Sequence, residues 1–149
     1  MNNKFVSLLL VLVIVVAGLY WAFGLPRVGN PEIPTSVEAI ARGEYLYNAA
    51  GCGACHQVDG AAGPIGGYEI ESPFGGHFIT PNITPDEETG IGGWSGRDFV
   101  LAIKHGRSPG GNFYWPAFPY RSYQGLSDEE VLDIAAYMVT LPPVNSQAP

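Results

Sequence analysis

The sequence predicts an all-α fold, and three observations carry that prediction. Three stretches, opening at Thr35, Ser95 and Ser127, combine a helix-starting hydroxyl residue with apolar residues at helical spacing. The text between them is dense in glycine and proline and sustains neither a period of 2 nor one of 3.6. Ahead of them, Phe5 to Phe23 gives 19 consecutive uncharged residues, nearly all apolar.

That opening segment reads as a membrane span. At about 1.5 Å rise per residue a helix of this length covers roughly 28 Å, close to the hydrocarbon core of a bilayer. A cleaved signal peptide has a shorter apolar stretch and ends in small residues. Here the stretch ends in Tyr20, Trp21 and Phe23, which suit the membrane–water interface. Residues 1–25 are therefore expected to be an uncleaved single-pass anchor rather than a signal peptide. Lys4 precedes the span, and Arg27 is the only early cation after it. This places the N-terminus in the cytoplasm and the body of the chain on the far side, which in a bacterium is the oxidising periplasm.

Residues 26–34 form a Pro/Gly linker, residues 35–144 one small domain, and residues 145–149 a tail. Beyond the span lie all 14 acidic residues and six of the seven cations, a net charge of −8. Nothing resembles a basic stripe, which argues against nucleic acid. A domain this small and rich in loops, with only two cysteines, needs another staple, and a buried cofactor supplies one.

Each helix has its own start and stop. Thr35 with Glu38 fits a capping box, and Val37, Ile40 and Ala41 open an apolar face that runs almost to the cysteines. Gly60 to Gly93 reads as long ordered loops, of the kind that wrap around something. Ser95 caps the second helix, with Phe99, Val100 and Ile103 on its apolar side and Gly106 at its end. Ser127 with Glu130 forms another capping box. Val131, Ile134, Ala135, Met138 and Leu141 mark the inner stripe there, and Pro142-Pro143 stops it.

The chemistry sits in residues 51–56, GCGACH, which hold both cysteines of the chain. A redox disulfide between Cys52 and Cys55 usually accompanies a βαβ pattern, absent from this sequence. Zinc needs about four ligands, and adjacent Cys55 and His56 converge poorly on one ion even with His77 and His105 drafted. Cys-x-x-Cys-His is the attachment signal for haem c, in which Cys52 and Cys55 add across the porphyrin vinyl groups and His56 comes under the iron.

With that motif in place, the layout resembles a class I c-type cytochrome. SPFGGHFITPNITPDEETGIGGWSGRDFVLAIKHG, YWPAFPYRSY and LSDEEVLDIAAYMVTLPPV are similar to the haem domains of the cytochrome c subunits of membrane-bound bacterial alcohol, aldehyde and gluconate dehydrogenases. The likeness runs from about Gly43 to Val144. It implies a cytochrome c-like domain of three or more short helices and long loops around covalent haem c. Those subunits often carry three haems, whereas the lone Cys-x-x-Cys-His implies one per chain. The implied role is that of an electron carrier rather than an enzyme, with no catalytic residue. It would sit on the inner membrane, facing the periplasm, between a periplasmic or membrane-bound dehydrogenase and a terminal oxidase or other redox acceptor of a respiratory chain.

One departure opens an alternative. The resemblance leads one to expect an axial methionine at Phe118 or Leu126. Met138, on the final apolar stripe, and His77, in a loop one residue longer than its counterpart, are the candidates for the sixth iron ligand. Core packing is the ordinary use of Met138, and loop exposure the ordinary state of His77. If neither ligates, the distal face is open, and the chain would bind or sense a gas or peroxide. Trp94, Tyr114, Trp115, Phe118 and Tyr120 are expected around the crevice. Asp86, Glu87 and Glu88 read as solvated charge or a docking patch. Asn82-Ile-Thr84 reads as a turn rather than a glycosylation site, and His105 as a structural residue at a helix C-terminus.

Overall fold

The computed structural model describes residues 3–24 and 26–147 and is mostly helical. Helix α1 (Asn3–Phe23) is long and apolar enough to cross a membrane, and none of the window from Lys4 to Trp21 is buried. Five further helical elements lie among the described residues of the domain: α2 (Val37–Ala49), α3 (Cys52–His56), α4 (Gly96–His105), a 3₁₀ turn (Tyr120–Tyr123) and α5 (Asp128–Met138).

Helix α2 begins one residue later than the sequence suggests. Ser36, extended at φ −73° and ψ 148°, accepts from the Ala39 amide through its hydroxyl. Glu38 thereby falls one position short of closing a box with the cap and serves only the helix dipole. At Ser95 the box is complete, because the Asp98 carboxylate accepts from the Ser95 amide at 2.8 Å. The Ser127–Glu130 box forms as expected, with Ser127 N–H donating to Glu130 at 2.7 Å. Helix α5 ends at Met138, before Pro142-Pro143, so Leu141 lies in the following turn and not on the stripe. Thr140 takes over there, its hydroxyl donating to the Tyr137 carbonyl at 2.7 Å and competing with further helix.

The core forms where α2 crosses α5. Ala39, Gly43 and Tyr47 line the buried face of α2, and Val131, Ile134, Ala135 and Met138 that of α5. The backbones meet at Gly43, where a Cβ would lie 1.8 Å from the Asp133 carbonyl oxygen. Beside it the Arg42 guanidinium grips the buried Asp133 carboxylate at 2.7 and 3.1 Å, and the Tyr47 and Tyr137 rings pack 5.2 Å apart. Phe99 and Val100 of α4 complete the cluster.

Two segments expected to be plain loop are built differently. Residues 60–93 contain an antiparallel hairpin, β1 (Glu69–Glu71) with β2 (His77–Ile79), in register Ile70 to Phe78. Three-residue strands are too short to show a period; the turn at Gly75 and Gly76, both at positive φ, was the available signal. Between α1 and α2, Val28 and Ile33 pack against the core, the Arg97 guanidinium donates to the Val28 carbonyl, and Pro31 presses on Gly96.

The acidic run 86–88 is partly structural. The Asp86 carboxylate accepts from the Thr89 amide at 2.7 Å, the Thr89 hydroxyl at 2.8 Å and the Glu88 amide. Hydrogen bonds from Thr89 foremost, then Glu88, hold the carboxyl below its ordinary value. A depressed carboxyl pKa stabilises the fold above the unfolded value of about 3.9 and loses that contribution as pH falls through the folded value. Asp86→Asn is therefore expected to flatten the acid limb of the stability profile, measured as urea midpoints from neutral pH to below pH 4.

Candidate functional site

Helix α2 ends at Ala49 with Ala50 as its C-cap, and Gly51 turns the chain through the left-handed region at φ 72°. Glycine enters that region without a Cβ penalty, so α3 starts at once with Cys52. The two thiols stand one turn apart, both half-buried, and they form no disulfide. Cys52 leans on the core cluster, and burial foremost pushes its thiol up to about 11.

His56 is held at both ends. Its Nδ1 lies 2.8 Å from the Pro81 carbonyl oxygen, so that nitrogen donates and Nε2 keeps its lone pair. Its own carbonyl accepts from the Gly66 amide at 2.8 Å. Burial foremost lowers the His56 pKa, favouring the neutral imidazole that a metal requires. Gly66 is needed where it stands, at φ 79°, because a Cβ there would lie 2.4 Å from the Thr80 carbonyl oxygen. Among the described residues no group of three or more His, Cys, Asp or Glu side chains converges as a zinc site would need.

An aromatic segment borders the cysteines. The Tyr123 hydroxyl donates to the Ala50 carbonyl at 3.0 Å, and its pKa is raised by burial and then by Cys52 and Cys55. Phe118 sits among Tyr114, Tyr120 and Tyr123, with ring centroids 5.8, 6.5 and 6.0 Å away. Trp94 instead packs edge-on against Phe99 in the core, and Trp115 stands exposed against Phe78.

The remaining candidates are dispersed. Met138 is 6% exposed inside the α2–α5 core that Cys52 borders. His77 opens β2 on the surface, its Nδ1 4.0 Å from Glu69. His105 ends α4, where burial and then Lys104 lower its pKa and work against the cationic form expected at a helix C-terminus. Asn82 is 4% exposed with its amide committed to internal hydrogen bonds, so it offers no glycosylation site. Pro81 and Tyr123 lie in segments that carry the family resemblance, but neither is singled out by the sequence, since neither sits in a periodic stripe or in Cys-x-x-Cys-His.

The cytochrome c family model matches residues 40–142, which take in most of α2, the Cys–His turn and all of α5. The chain belongs to the cytochrome c family. Relatives agree. It is 39% identical over 143 residues to a diheme cytochrome c-type of Cereibacter sphaeroides, covering 92% of this chain and 47% of that one. The gluconate 2-dehydrogenase cytochrome c subunit of Pantoea cypripedii is 44% identical over 67% of this chain and 22% of its own. The fructose dehydrogenase cytochrome subunit of Gluconobacter japonicus is 41% identical over 80% of this chain and 26% of its own. The chain thus spans less than half the length of these relatives.

A cytochrome c domain implies covalently bound haem c, and the residues present fit it. Two unpaired thiols a turn apart are available for thioethers, and the adjacent neutral imidazole has its second nitrogen already engaged.

Proposed function

We propose that this cytochrome is a membrane-anchored periplasmic carrier of single electrons with one haem c, held by Cys52 and Cys55 and ligated by His56. The observation that carries the reading is the pairing of two free thiols with an imidazole whose Nδ1 is fixed on Pro81. Bound haem c supplies an Fe(II)/Fe(III) couple. The chain's own work is to orient. Pro81 fixes the His56 tautomer, Gly51 and Gly66 shape the turn around it, and the α2–α5 core with the Phe118 cluster excludes water.

The single Cys-x-x-Cys-His supports one haem on this chain, although the Cereibacter relative is named diheme. Relatives named as cytochrome subunits of gluconate and fructose dehydrogenases support a dehydrogenase as electron donor. A terminal oxidase or another redox carrier would accept. In this reading residues 1–25 anchor the chain in the inner membrane and 35–144 carry the haem. The apolar length of α1 supports the anchor.

A second reading, an open distal face that binds a small ligand, rests on where the sixth-ligand candidates lie. Met138 is committed to core packing, and His77 is exposed beside Glu69. Optical spectra of the purified protein, oxidised and reduced, then with carbon monoxide, separate the two. The carrier reading predicts a low-spin haem that cycles reversibly and ignores carbon monoxide, with Met138→Ala or His77→Ala abolishing the low-spin state. A high-spin haem that takes up carbon monoxide would replace it with the open-site reading.

A further inference from the structure

The most concentrated set of buried polar side chains lies beside the site and not in it. Thr80, Asn82 and Thr84, with 6, 4 and 0% exposure, flank Pro81, whose carbonyl oxygen accepts from His56. Proline has no amide proton, so its neighbours must fix that carbonyl. Upstream the hairpin base does so: Thr80 N–H donates to Tyr68, its carbonyl accepts from Gly67, and its hydroxyl accepts from the Tyr68 amide.

Downstream the partners come from the other end of the chain. The Asn82 amide donates to the Val144 carbonyl at 2.8 Å and to the Thr89 hydroxyl at 2.9 Å, while its oxygen accepts from Thr84 N–H at 2.9 Å. The Thr84 hydroxyl donates to the Val144 carbonyl and accepts from the Val144 amide, both at 3.2 Å. Ser146 N–H donates to Thr89 at 3.0 Å, and Thr89 donates to Asp86. Pro142-Pro143 stiffens the approach from α5. In the intact chain Thr84 is fully buried, and both partners of its hydroxyl are supplied by Val144.

We propose that residues 144–146 are a positioning strap for the proximal histidine: by locking Asn82, Thr84 and Thr89 they hold the Pro81 carbonyl on His56 Nδ1 and so set the reduction potential. The inference rests on His56 being the iron ligand. Donation from Nδ1 makes Nε2 more electron-rich, which favours Fe(III). Loosening the carbonyl removes that bias, and the potential rises.

The test is a redox titration of the haem-loaded full chain against a truncation after Pro143. Truncation is expected to raise the reduced-to-oxidised ratio at fixed potential about tenfold, or about 59 mV for one electron. Should the truncated chain fail to fold, Thr89→Val removes the hydroxyl that Ser146 and Asn82 share, and a rise in the same direction is expected. An unchanged or lowered potential in the truncation, or in Thr89→Val where truncation does not fold, overturns the strap. His56→Gln in the full chain separates the two levels: an unaltered spectrum would sink the ligand assignment itself, and the strap with it.

Discussion

Gly43→Ala is expected to cost about 3 kcal/mol, the upper end of overpacking penalties. The new methyl carbon would lie 1.8 Å from the Asp133 carbonyl oxygen, 2.5 Å from its carbon and 3.1 Å from Tyr137 Cβ. Two of those three atoms are helix backbone, which cannot swing aside as a side chain can. The crossing must open, loosening the Tyr47–Tyr137 contact and the Arg42–Asp133 pair together. For a domain whose whole stability is about 5–15 kcal/mol, that is a large share. Thermal melts of the haem-loaded protein should show a fall of about 4–8 °C per kcal/mol. A melting point within a degree or two of the parent would mean that the helices cross less closely than described.

Replacing both thiols, Cys52→Ala with Cys55→Ala, is expected to have the other large effect: loss of all haem that survives denaturation. Nothing else in the described residues offers a covalent link, since these are the only cysteines. The consequence for the fold should be nearly as large. Cys52 packs on the core, and the loops from 57 to 95 carry little regular structure of their own. Without the cofactor as a staple the domain falls short of the burial a small fold needs. Haem staining of the denatured chain, alongside its circular dichroism, checks both parts. Stained, folded double variant would contradict them.

What the sequence made legible was local chemistry. The apolar run became α1, and the Ser127–Glu130 box and the Gly106 stop stand where the pattern put them, because caps and stripes act within a few residues. The α2 start slipped by one because Thr35 and Ser36 are both competent caps, and only backbone geometry chooses. The hairpin at 69–79 was hidden by strands of three residues. At the site, Cys52, Cys55 and His56 were readable as a contiguous motif. Pro81, Tyr123 and the strap were not, since they reach the motif from 25 or more residues away through carbonyl and hydroxyl contacts that leave no period. The sequence leaves the sixth position among Met138, His77 and an open face, because that depends on which distant segment faces the haem.

One haem bound covalently through Cys52 and Cys55 underlies every property proposed for this cytochrome, and the intact mass of the denatured protein tests that most directly. The prediction is the polypeptide mass plus a single haem, with no thiol left to alkylate. A bare polypeptide with two alkylatable thiols, its haem lost on denaturation, would contradict it.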